Sequence, residues 1–413
     1  MKIGLSTSVI QRGQTGIAQY VFALLRAFAH SDLPHEFALF VLRKDLPLFD
    51  EFRDTMEVVP VSESFRSPVL NIAWHQTVLP RLARKHRLDV LHVPSYRRLL
   101  HAHTCATVAT IHDLAPFHVT AKYDPLRMFY ARVVVRRLAH RQHSIIAISR
   151  NTARDIFRFF DIPRDRVRVI YNGLDHQRFT PATHDTSREG APFFLYVSRL
   201  EHPGKNHVRL ISAFNQFKQS IMSPWQLVFA GKDWQGAEAI HSAIRNSPFA
   251  KDIRCLGFVS DAELPSLYHA AGAFVYPSLY EGFGMPPVEA MASGLPVLCS
   301  DRGALAEVIG DAALIVDPED LADLARKLRA MAVDSDLRNR LRERGLRQAR
   351  RFDWKQTAAA TLDAYERTAA LYSGRSFSAI PDLRRRLLKP LSPKPVFLAN
   401  RPETPEKGTP SSP

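Results

Sequence analysis

The sequence predicts an α/β protein in which two doubly wound domains face each other across a cleft. Two series of short apolar runs, typical of buried strands, alternate with stretches in which apolar residues recur at helical spacing. A polar segment, residues 180–191, separates the two series and is typical of a domain boundary. With 413 residues, the chain is also more readily divided into two domains than packed around one core.

The elements of each series follow in order along the chain. The first series has strand-like runs at residues 3–9, 37–42, 58–60, 89–93, 107–111, 144–149 and 167–170. The second has them at residues 193–197, 227–230, 253–260, 273–276, 295–298 and 314–316. A helical stretch follows Phe352-Asp353-Trp354, and the residues after 376 hold eight of the 28 prolines. We expect this proline-rich end to be disordered, because it can bury little apolar surface.

The densest group of chemistry-bearing residues lies between the runs at 273–276 and 295–298. Glu281 is followed by Gly-Phe-Gly and two prolines, and Glu289 stands eight positions after it. Glycine lets the backbone approach a ligand closely, and proline suits the first turn of a helix. The pattern predicts a strand, a glycine loop and a helix N-terminus, which favours an anion or a cluster of hydroxyls. Both carboxylates could accept hydrogen bonds from one polar ligand.

A second loop carries two cations. Arg199 and Lys205 flank a Pro-Gly turn after the run at 193–197, and Ser198 begins this loop. Arginine can bind phosphate oxygens through two parallel hydrogen bonds, whereas lysine acts as a point charge. Two cations that converge at a helix N-terminus indicate a diphosphate site. Two unrelated surface cations are the alternative that the loop alone leaves open.

The first half of the chain offers two further candidates. Gly16 lies in a glycine loop between the first strand and a helix with regularly spaced apolar residues. His112 directly follows the run at 107–111, and α/β sheets place ligand-contacting residues at the carboxyl ends of their strands. A histidine at a strand end can equally be structural, so neither residue decides the function alone.

The spacing of Glu281 and Glu289, with Gly-Phe-Gly between them, resembles the sugar-donor motif of retaining family 4 glycosyltransferases with the GT-B fold. The resemblance covers roughly residues 1–372 and is strongest between residues 193 and 298. It implies an acceptor-side domain at 1–178 and a nucleotide-sugar-binding domain at 190–351. It also implies a helix at 352–372 that crosses back to the first domain, ahead of a disordered basic tail at 373–413.

The same resemblance implies a set of site residues. The catalytic residues would be His112, Glu281, Arg199 and Lys205. The residues that bind the sugar donor would be Gly16, Ser198, Arg199, Lys205, Gly231, Phe258, Val259, Glu281, Phe283, Gly284, Met285 and Glu289. Arg199 and Lys205 would hold the diphosphate, Glu289 the ribose and Glu281 the sugar. The turn that contains Phe258 would hold the base.

The implied reaction moves a sugar from a nucleotide-diphosphate sugar to a glycan or a polyprenyl-diphosphate-linked acceptor in cell-surface polysaccharide synthesis. GDP-mannose is the favoured donor and a UDP-sugar the alternative, so the implied enzyme is a mannosyltransferase. Neither a cofactor nor a metal is implied, and we interpret Asp334-Ser335-Asp336 as a helix N-cap. A GT-B epimerase, a pyridoxal-phosphate-dependent phosphorylase and a non-catalytic partner subunit remain alternatives.

The net charge of +15 is unevenly distributed. Between residues 131 and 168 there are ten arginines against three aspartates. Contact with an anionic membrane or a lipid diphosphate is one interpretation, and a solvated helix face is the other. No nucleic-acid-binding motif accompanies the charge. Three scattered cysteines and the absence of an 18-residue apolar stretch predict a cytoplasmic protein, with peripheral contact at the inner membrane face as the finer hypothesis.

Overall fold

The computed structural model describes residues 1–373 except residues 14, 32, 119–127 and 183–190. Most of the predicted boundary segment at 180–191, and all but the first residue of the predicted tail at 373–413, lie outside the described residues. The described chain forms two parallel sheets flanked by helices, which confirms the predicted α/β class.

The N-terminal sheet has the strand order β3-β2-β1-β4-β5-β6-β7, and every neighbouring pair is parallel. Its strands are β1 (Lys2–Ser6), β2 (Glu36–Leu42), β3 (Glu57–Val61), β4 (Val90–Val93), β5 (Ala106–Ile111), β6 (Ser144–Ala147) and β7 (Val167–Val169). The central strands are buried on both faces, which explains their nearly continuous apolar sequence.

The C-terminal sheet has the order β10-β9-β8-β11-β12-β13 and is also parallel. Its strands are β8 (Phe193–Val197), β9 (Gln226–Ala230), β10 (Ile253–Cys255), β11 (Ala273–Tyr276), β12 (Val297–Ser300) and β13 (Ala313–Val316). The predicted run at 253–260 ends at Cys255, because Gly257 adopts a φ of 68° that extended backbone does not allow. Phe258 and Val259 therefore lie in a loop.

Helices connect the strands and cover the sheets. They are Gly16–Ala29, Pro68–Lys85, Arg136–Ala139, Arg150–Asp155, His207–Ser220, Ala237–Arg245, Leu264–Ala270, Met285–Ala292, Leu305–Ile309, Leu321–Val333, Ser335–Ala349 and Trp354–Tyr372. The π-helical segments Tyr130–Val135 and Ile156–Phe160 adjoin two of them. Asp334 caps the helix that begins at Ser335, since its carboxylate accepts the N–H of Leu337 at 2.8 Å, as predicted.

The last helix, Trp354–Tyr372, packs against the N-terminal sheet, as the resemblance implies. Its buried apolar side chains belong to the same core as β1 and the helix Gly16–Ala29. Tyr365 is fully buried, and its hydroxyl lies 2.7 Å from Nδ1 of His92 in β4. The chain therefore crosses from the second sheet back to the first, which ties the two halves together.

The order of the strands reverses between β1 and β4 in the first sheet and between β8 and β11 in the second. In parallel α/β sheets, ligands bind in the crevice outside the carboxyl ends of the strands at such a reversal. The loop after β8 carries Arg199 and Lys205, and the loop after β11 carries Glu281. Sheet topology therefore places these predicted residues on the two sides of one crevice.

Candidate active site

An ion pair spans this crevice. Nζ of Lys205 lies 2.5 Å from Oε1 of Glu281, and the hydroxyl of Tyr276 donates to the same carboxylate oxygen at 2.9 Å. Only 17% of the Lys205 side chain and 13% of the Glu281 side chain are exposed. A charge-assisted hydrogen bond with so little water around it fixes the positions of both side chains. It therefore holds the Lys205 ammonium group just before the helix His207–Ser220.

The surroundings of Glu281 keep its carboxylate ionised. Burial alone would raise its pKa, but the charge and hydrogen bond of Lys205, with the hydroxyl of Tyr276, outweigh that effect. The net result is a pKa of Glu281 below its usual value. Glu281 therefore presents hydrogen-bond acceptors at neutral pH, as a sugar-binding carboxylate requires.

The glycine loop brings the two halves of the protein together. A Cβ atom on Gly282 would lie 1.9 Å from the carbonyl oxygen of His112, which follows β5 of the N-terminal sheet. Gly284 has a φ of 100° and directly precedes the helix Met285–Ala292, so its turn also requires glycine. Phe283 is buried against Tyr171 and Phe352. The loop is thus a contact between the domains as well as a helix N-terminus.

Glu289 lies in the second turn of that helix. The hydroxyl of Tyr268 donates to its Oε2 at 2.8 Å. Burial raises the pKa of Glu289 to about 7, although the hydrogen bond from Tyr268 acts in the opposite direction. Glu281 and Glu289 therefore differ in charge state near neutral pH, because Lys205 compensates burial for Glu281 alone.

Arg199 makes its contacts at a different place from Lys205. Its guanidinium carbon lies 4.6 Å from the centre of the Trp234 ring, and its Nη2 lies 3.6 Å from Oε2 of the buried Glu201. The Arg199 side chain is 46% exposed. The predicted diphosphate site therefore has one partly buried cation and one more exposed cation that lies over an indole ring.

The loops after β8, β9 and β10 meet beside these cations. A Cβ atom on Gly231 would lie 1.9 Å from the carbonyl oxygen of Ser198, and the N–H of Gly231 donates to the carbonyl of Gly257 at 2.7 Å. Phe258 is 60% exposed and has Nζ of Lys232 at 4.5 Å from its ring centre. Val259 packs against the core of the C-terminal half.

His112 lies across the crevice at the end of β5. Its Nε2 is 3.2 Å from the carbonyl oxygen of Pro94, which can only accept, so Nε2 carries the proton. The rings of Tyr20 and His112 pack in a T-shaped arrangement with their centres 4.8 Å apart. Burial lowers the pKa of His112 to about 4, and the ring is neutral at pH 7.

Gly16 begins the helix Gly16–Ala29, which follows the loop after β1. The hydroxyl of Thr15 caps this helix by accepting the N–H of Ala18 at 3.2 Å. A Cβ atom on Gly16 would meet no atom of the described residues within 4 Å. The absence of a side chain at Gly16 therefore leaves the helix N-terminus open.

Several residues of the site were missed at the sequence level. Tyr276 ends β11 and Tyr268 lies in the helix Leu264–Ala270, and both resemble core residues because they stand in apolar surroundings. The position of Tyr276 at the carboxyl end of a strand is a signal that could have identified it. Glu307, whose carboxylate contacts the N-terminal half, carried no local signal.

The arginine-rich segment remains a largely exposed surface. Nine of its ten arginines are exposed, and Arg158 and Arg164 lie over the rings of Phe159 and Phe157. Arg168 is half-buried, with Nη1 3.9 Å from a carboxylate oxygen of Asp363. No described helix is both long enough and apolar enough to cross a bilayer.

Two family models match the chain, one on each half. The model described as Glycosyltransferase Family 4 matches residues 14–178, and the model described as Glycosyl transferases group 1 matches residues 183–348. The division between them falls in the segment that connects the two sheets.

Similar proteins cover about nine-tenths of the chain. The O-antigen chain mannosyltransferase B of Escherichia coli is 28% identical over 386 residues, which cover 89% of this chain and all of that protein. The sucrose-phosphate synthase structure from Thermosynechococcus elongatus has a TM-score of 0.74 at 20% identity and covers 90% of this chain and 100% of that one. Anabaena Alr3699/HepE in complex with UDP and glucose has a TM-score of 0.68 at 21% identity and covers 88% and 100%. With both halves matched by their family models and the two-sheet fold shared with these structures, the chain belongs to the family 4 glycosyltransferases of the GT-B fold and is a glycosyltransferase.

Proposed function

We propose that this enzyme is a retaining mannosyltransferase that takes mannose from a nucleotide-diphosphate sugar. The favoured donor is GDP-mannose, and a UDP-sugar is the alternative. The observation that carries the proposal is the partly buried Lys205–Glu281 pair at the strand reversal between β8 and β11. It sets a cation for a diphosphate beside a carboxylate for sugar hydroxyls. The full-length match to a protein named as a mannosyltransferase supports mannose, while the similar structure that holds UDP keeps a uridine donor as the alternative.

The charge that develops during the reaction explains the cations. As the bond between the sugar and the diphosphate breaks, negative charge grows on the leaving phosphate oxygen. Lys205 and Arg199, with the N-terminus of the helix Met285–Ala292, stabilise that charge without reorganising. The residues present thus supply positive charge themselves, and the proposal assigns no step to a metal or another cofactor.

The sugar and the nucleoside lie on either side of this diphosphate. Glu281 accepts hydrogen bonds from the sugar, aided by the N–H groups of residues 283–285, and Glu289 accepts them from the ribose. The exposed ring of Phe258, with Val259, offers an apolar wall to the base. His112 faces this site from the N-terminal half and orients the sugar. Ser198, Gly231 and Gly16 keep the backbone close to the phosphates.

Transfer then proceeds on one face of the sugar. An acceptor hydroxyl attacks the anomeric carbon from the side on which the diphosphate leaves, and its proton passes to the departing phosphate oxygen. The new bond keeps the anomeric configuration of the donor. The contact between Gly282 and the carbonyl of His112 closes the domains over the reacting atoms and excludes water.

The acceptor is a glycan or a lipid-linked oligosaccharide in cell-surface polysaccharide synthesis, as the name of the O-antigen relative suggests. We assign residues 1–178 to the acceptor-side domain and residues 190–351 to the donor domain, with 352–372 as the crossover helix. An enzyme that acts in the cytoplasm, at the inner face of the membrane, would meet such an acceptor, and its exposed arginines suit an anionic membrane surface.

Thermal stability in the presence of GDP-, UDP-, ADP- and dTDP-sugars tests the sugar donor. A ligand at 100 times its Kd stabilises the folded state by about 2.7 kcal/mol, so the true donor should give the largest shift. We expect GDP-mannose to lead and nuclear magnetic resonance of the product to show the anomeric configuration of the donor. Inversion, or conversion of the donor to an epimer without an acceptor, would contradict the proposal.

A further inference from the structure

A second polar cluster lies on the acceptor side of the crevice, away from the residues assigned above. Arg98 follows β4, whose end also supplies the Pro94 carbonyl that His112 contacts. Asn71 lies in the first turn of the helix Pro68–Lys85, and His75 stands one turn further on. The hydroxyl of Ser6, the last residue of β1, lies 3.0 Å from Nε2 of His75. The cluster therefore occupies the strand reversal between β1 and β4.

Arg98 carries a partly buried charge that no carboxylate of the described residues balances. Its Nε donates to Oδ1 of Asn71 at 2.5 Å and its Nη1 to the carbonyl of Arg97 at 3.0 Å. Both acceptors are neutral, and burial lowers the pKa of Arg98. A cation that loses water without gaining an anion is costly, and such a cation is stabilised when an anionic ligand binds.

The groups around Arg98 do not offset its positive charge. Burial lowers the pKa of His75 to about 3, and the charge of Arg98 acts in the same direction, so this imidazole accepts no proton. The exposed Arg97 lies next to Arg98 in the chain, and its carbonyl accepts the hydroxyl of Tyr130 at 3.2 Å. The hydroxyl of Tyr130 is a neutral hydrogen-bond donor to the same turn.

Exposed apolar residues stand next to the contacts of this turn in the sequence. Val69 and Leu70, which are 74% and 47% exposed, directly precede the Asn71 that holds Arg98. Phe129, which is 59% exposed, directly precedes the Tyr130 that contacts Arg97. An arginine with neutral hydrogen-bond acceptors, close in sequence to exposed apolar residues, is complementary to a ligand that joins a phosphate to a hydrocarbon chain.

We propose that Arg98, held by Asn71 beside Val69 and Leu70, binds the phosphate of an acceptor that also carries a hydrocarbon chain. This inference rests on the proposed function, because it assigns the acceptor side of the same crevice. The guanidinium takes the phosphate oxygens nearest the acceptor sugar, and the apolar residues contact the first part of the chain. The acceptor hydroxyl is then directed toward His112 and the sugar donor.

Binding can be measured with the nucleotide site already filled. Calorimetry of the full chain in saturating GDP would use farnesyl diphosphate below its micelle concentration, inorganic pyrophosphate and farnesol as probes. We expect farnesyl diphosphate to bind most tightly and Arg98→Gln to weaken it about 10–100-fold, which is the range for a lost hydrogen bond to a charged group. Arg84→Gln, which removes an equal charge from the exposed far end of the helix Pro68–Lys85, should change nothing.

Further variants keep the test decisive. Arg98→Lys retains the charge and should lose less affinity than Arg98→Gln, and Val69→Ser with Leu70→Ser should reduce only the preference for farnesyl diphosphate over pyrophosphate. GDP affinity, unchanged in every variant, reports that the protein is folded. Equal binding of farnesyl diphosphate by wild type and Arg98→Gln, or equal binding of farnesyl diphosphate and pyrophosphate by wild type, would overturn the inference. Failure of wild type to bind any nucleotide would instead refute the proposed function.

Discussion

The carboxylate of Glu307 in the C-terminal half accepts the backbone N–H of Asn151 in the N-terminal half at 2.8 Å. The same carboxylate accepts the N–H of Arg150 at 3.1 Å and the hydroxyl of Tyr171 at 3.0 Å. Arg150 begins a helix, so Glu307 places a negative charge at a helix N-terminus of the opposite half. This contact joins the two halves, as does the close approach of Gly282 to the carbonyl oxygen of His112.

Glu307→Ala should therefore loosen the contact between the two halves. Loss of a hydrogen bond to a charged group costs about 1.5–3 kcal/mol, enough to populate an open form. We expect a larger radius of gyration in small-angle X-ray scattering and a fall of about tenfold in kcat/KM. Glu319→Gln, which removes an exposed carboxylate paired with Arg302, serves as the control. An unchanged radius of gyration in Glu307→Ala would show that other contacts determine closure.

Lys205→Ala should reduce kcat by about 10²–10³, because it removes a preorganised charge from the leaving diphosphate. It also leaves Glu281 buried without its cation, so the pKa of Glu281 should rise. Initial rates at saturating GDP-mannose measure the effect, and the exposed Lys251 provides a matched Lys251→Ala control. Near wild-type turnover in Lys205→Ala would refute the assignment of this residue.

The sequence carries the parts of this site that depend on local pattern. Alternating apolar runs predict both sheets. Lys205, Glu281 and His112 were expected in the loops that follow parallel strands, and they lie there. The fold class follows from these patterns, and the resemblance to the family follows from the spacing of Glu281 and Glu289. The pairing of Lys205 with Glu281 follows once β8 and β11 are known to be neighbours.

The rest of the site depends on contacts between distant parts of the chain. Glu307 lies 156 residues from Asn151, and their contact depends on how the two halves are oriented, which no local spacing encodes. Tyr268 and Tyr276 occupy apolar segments, so only the three-dimensional arrangement distinguishes their hydroxyls from those of ordinary core tyrosines. The charge of Arg98 stands out only after its hydrogen-bond acceptors are known to be neutral.

Nucleotide binding should release a proton through Glu289. In the protein without nucleotide, burial raises the pKa of Glu289 to about 7. Ribose hydroxyls that donate to the carboxylate favour its ionised form. Affinity should therefore fall as the pH drops below 7, with release approaching one proton near pH 6 and none above about pH 8. Calorimetry in buffers of different ionisation enthalpy measures the release, and Glu289→Gln should abolish it. Binding without proton release at pH 6 would contradict the role of Glu289.

Tyr20 should control the protonation of His112. Its ring packs against the imidazole, and its hydroxyl lies 3.3 Å from that of Thr110, whose hydroxyl lies 2.8 Å from Nε2 of His92. Burial lowers the pKa of His112 to about 4, so the contribution of this residue to kcat should stay constant from pH 5 to 8 in the wild-type enzyme. Tyr20→Leu admits water and should move the pKa of His112 toward 6.5, so that kcat falls as the pH drops through that value.

The variant Tyr20→Phe separates this effect from a loss of packing. It keeps the aromatic ring against His112, so we expect a flat pH profile at saturating GDP-mannose, with kcat reduced by less than in Tyr20→Leu. Phe22→Leu removes a ring from the same helix, where it packs on Phe49 away from His112, and should also leave the profile flat. A profile for Tyr20→Leu that is as flat as that of the wild-type enzyme would show that Tyr20 only packs the core.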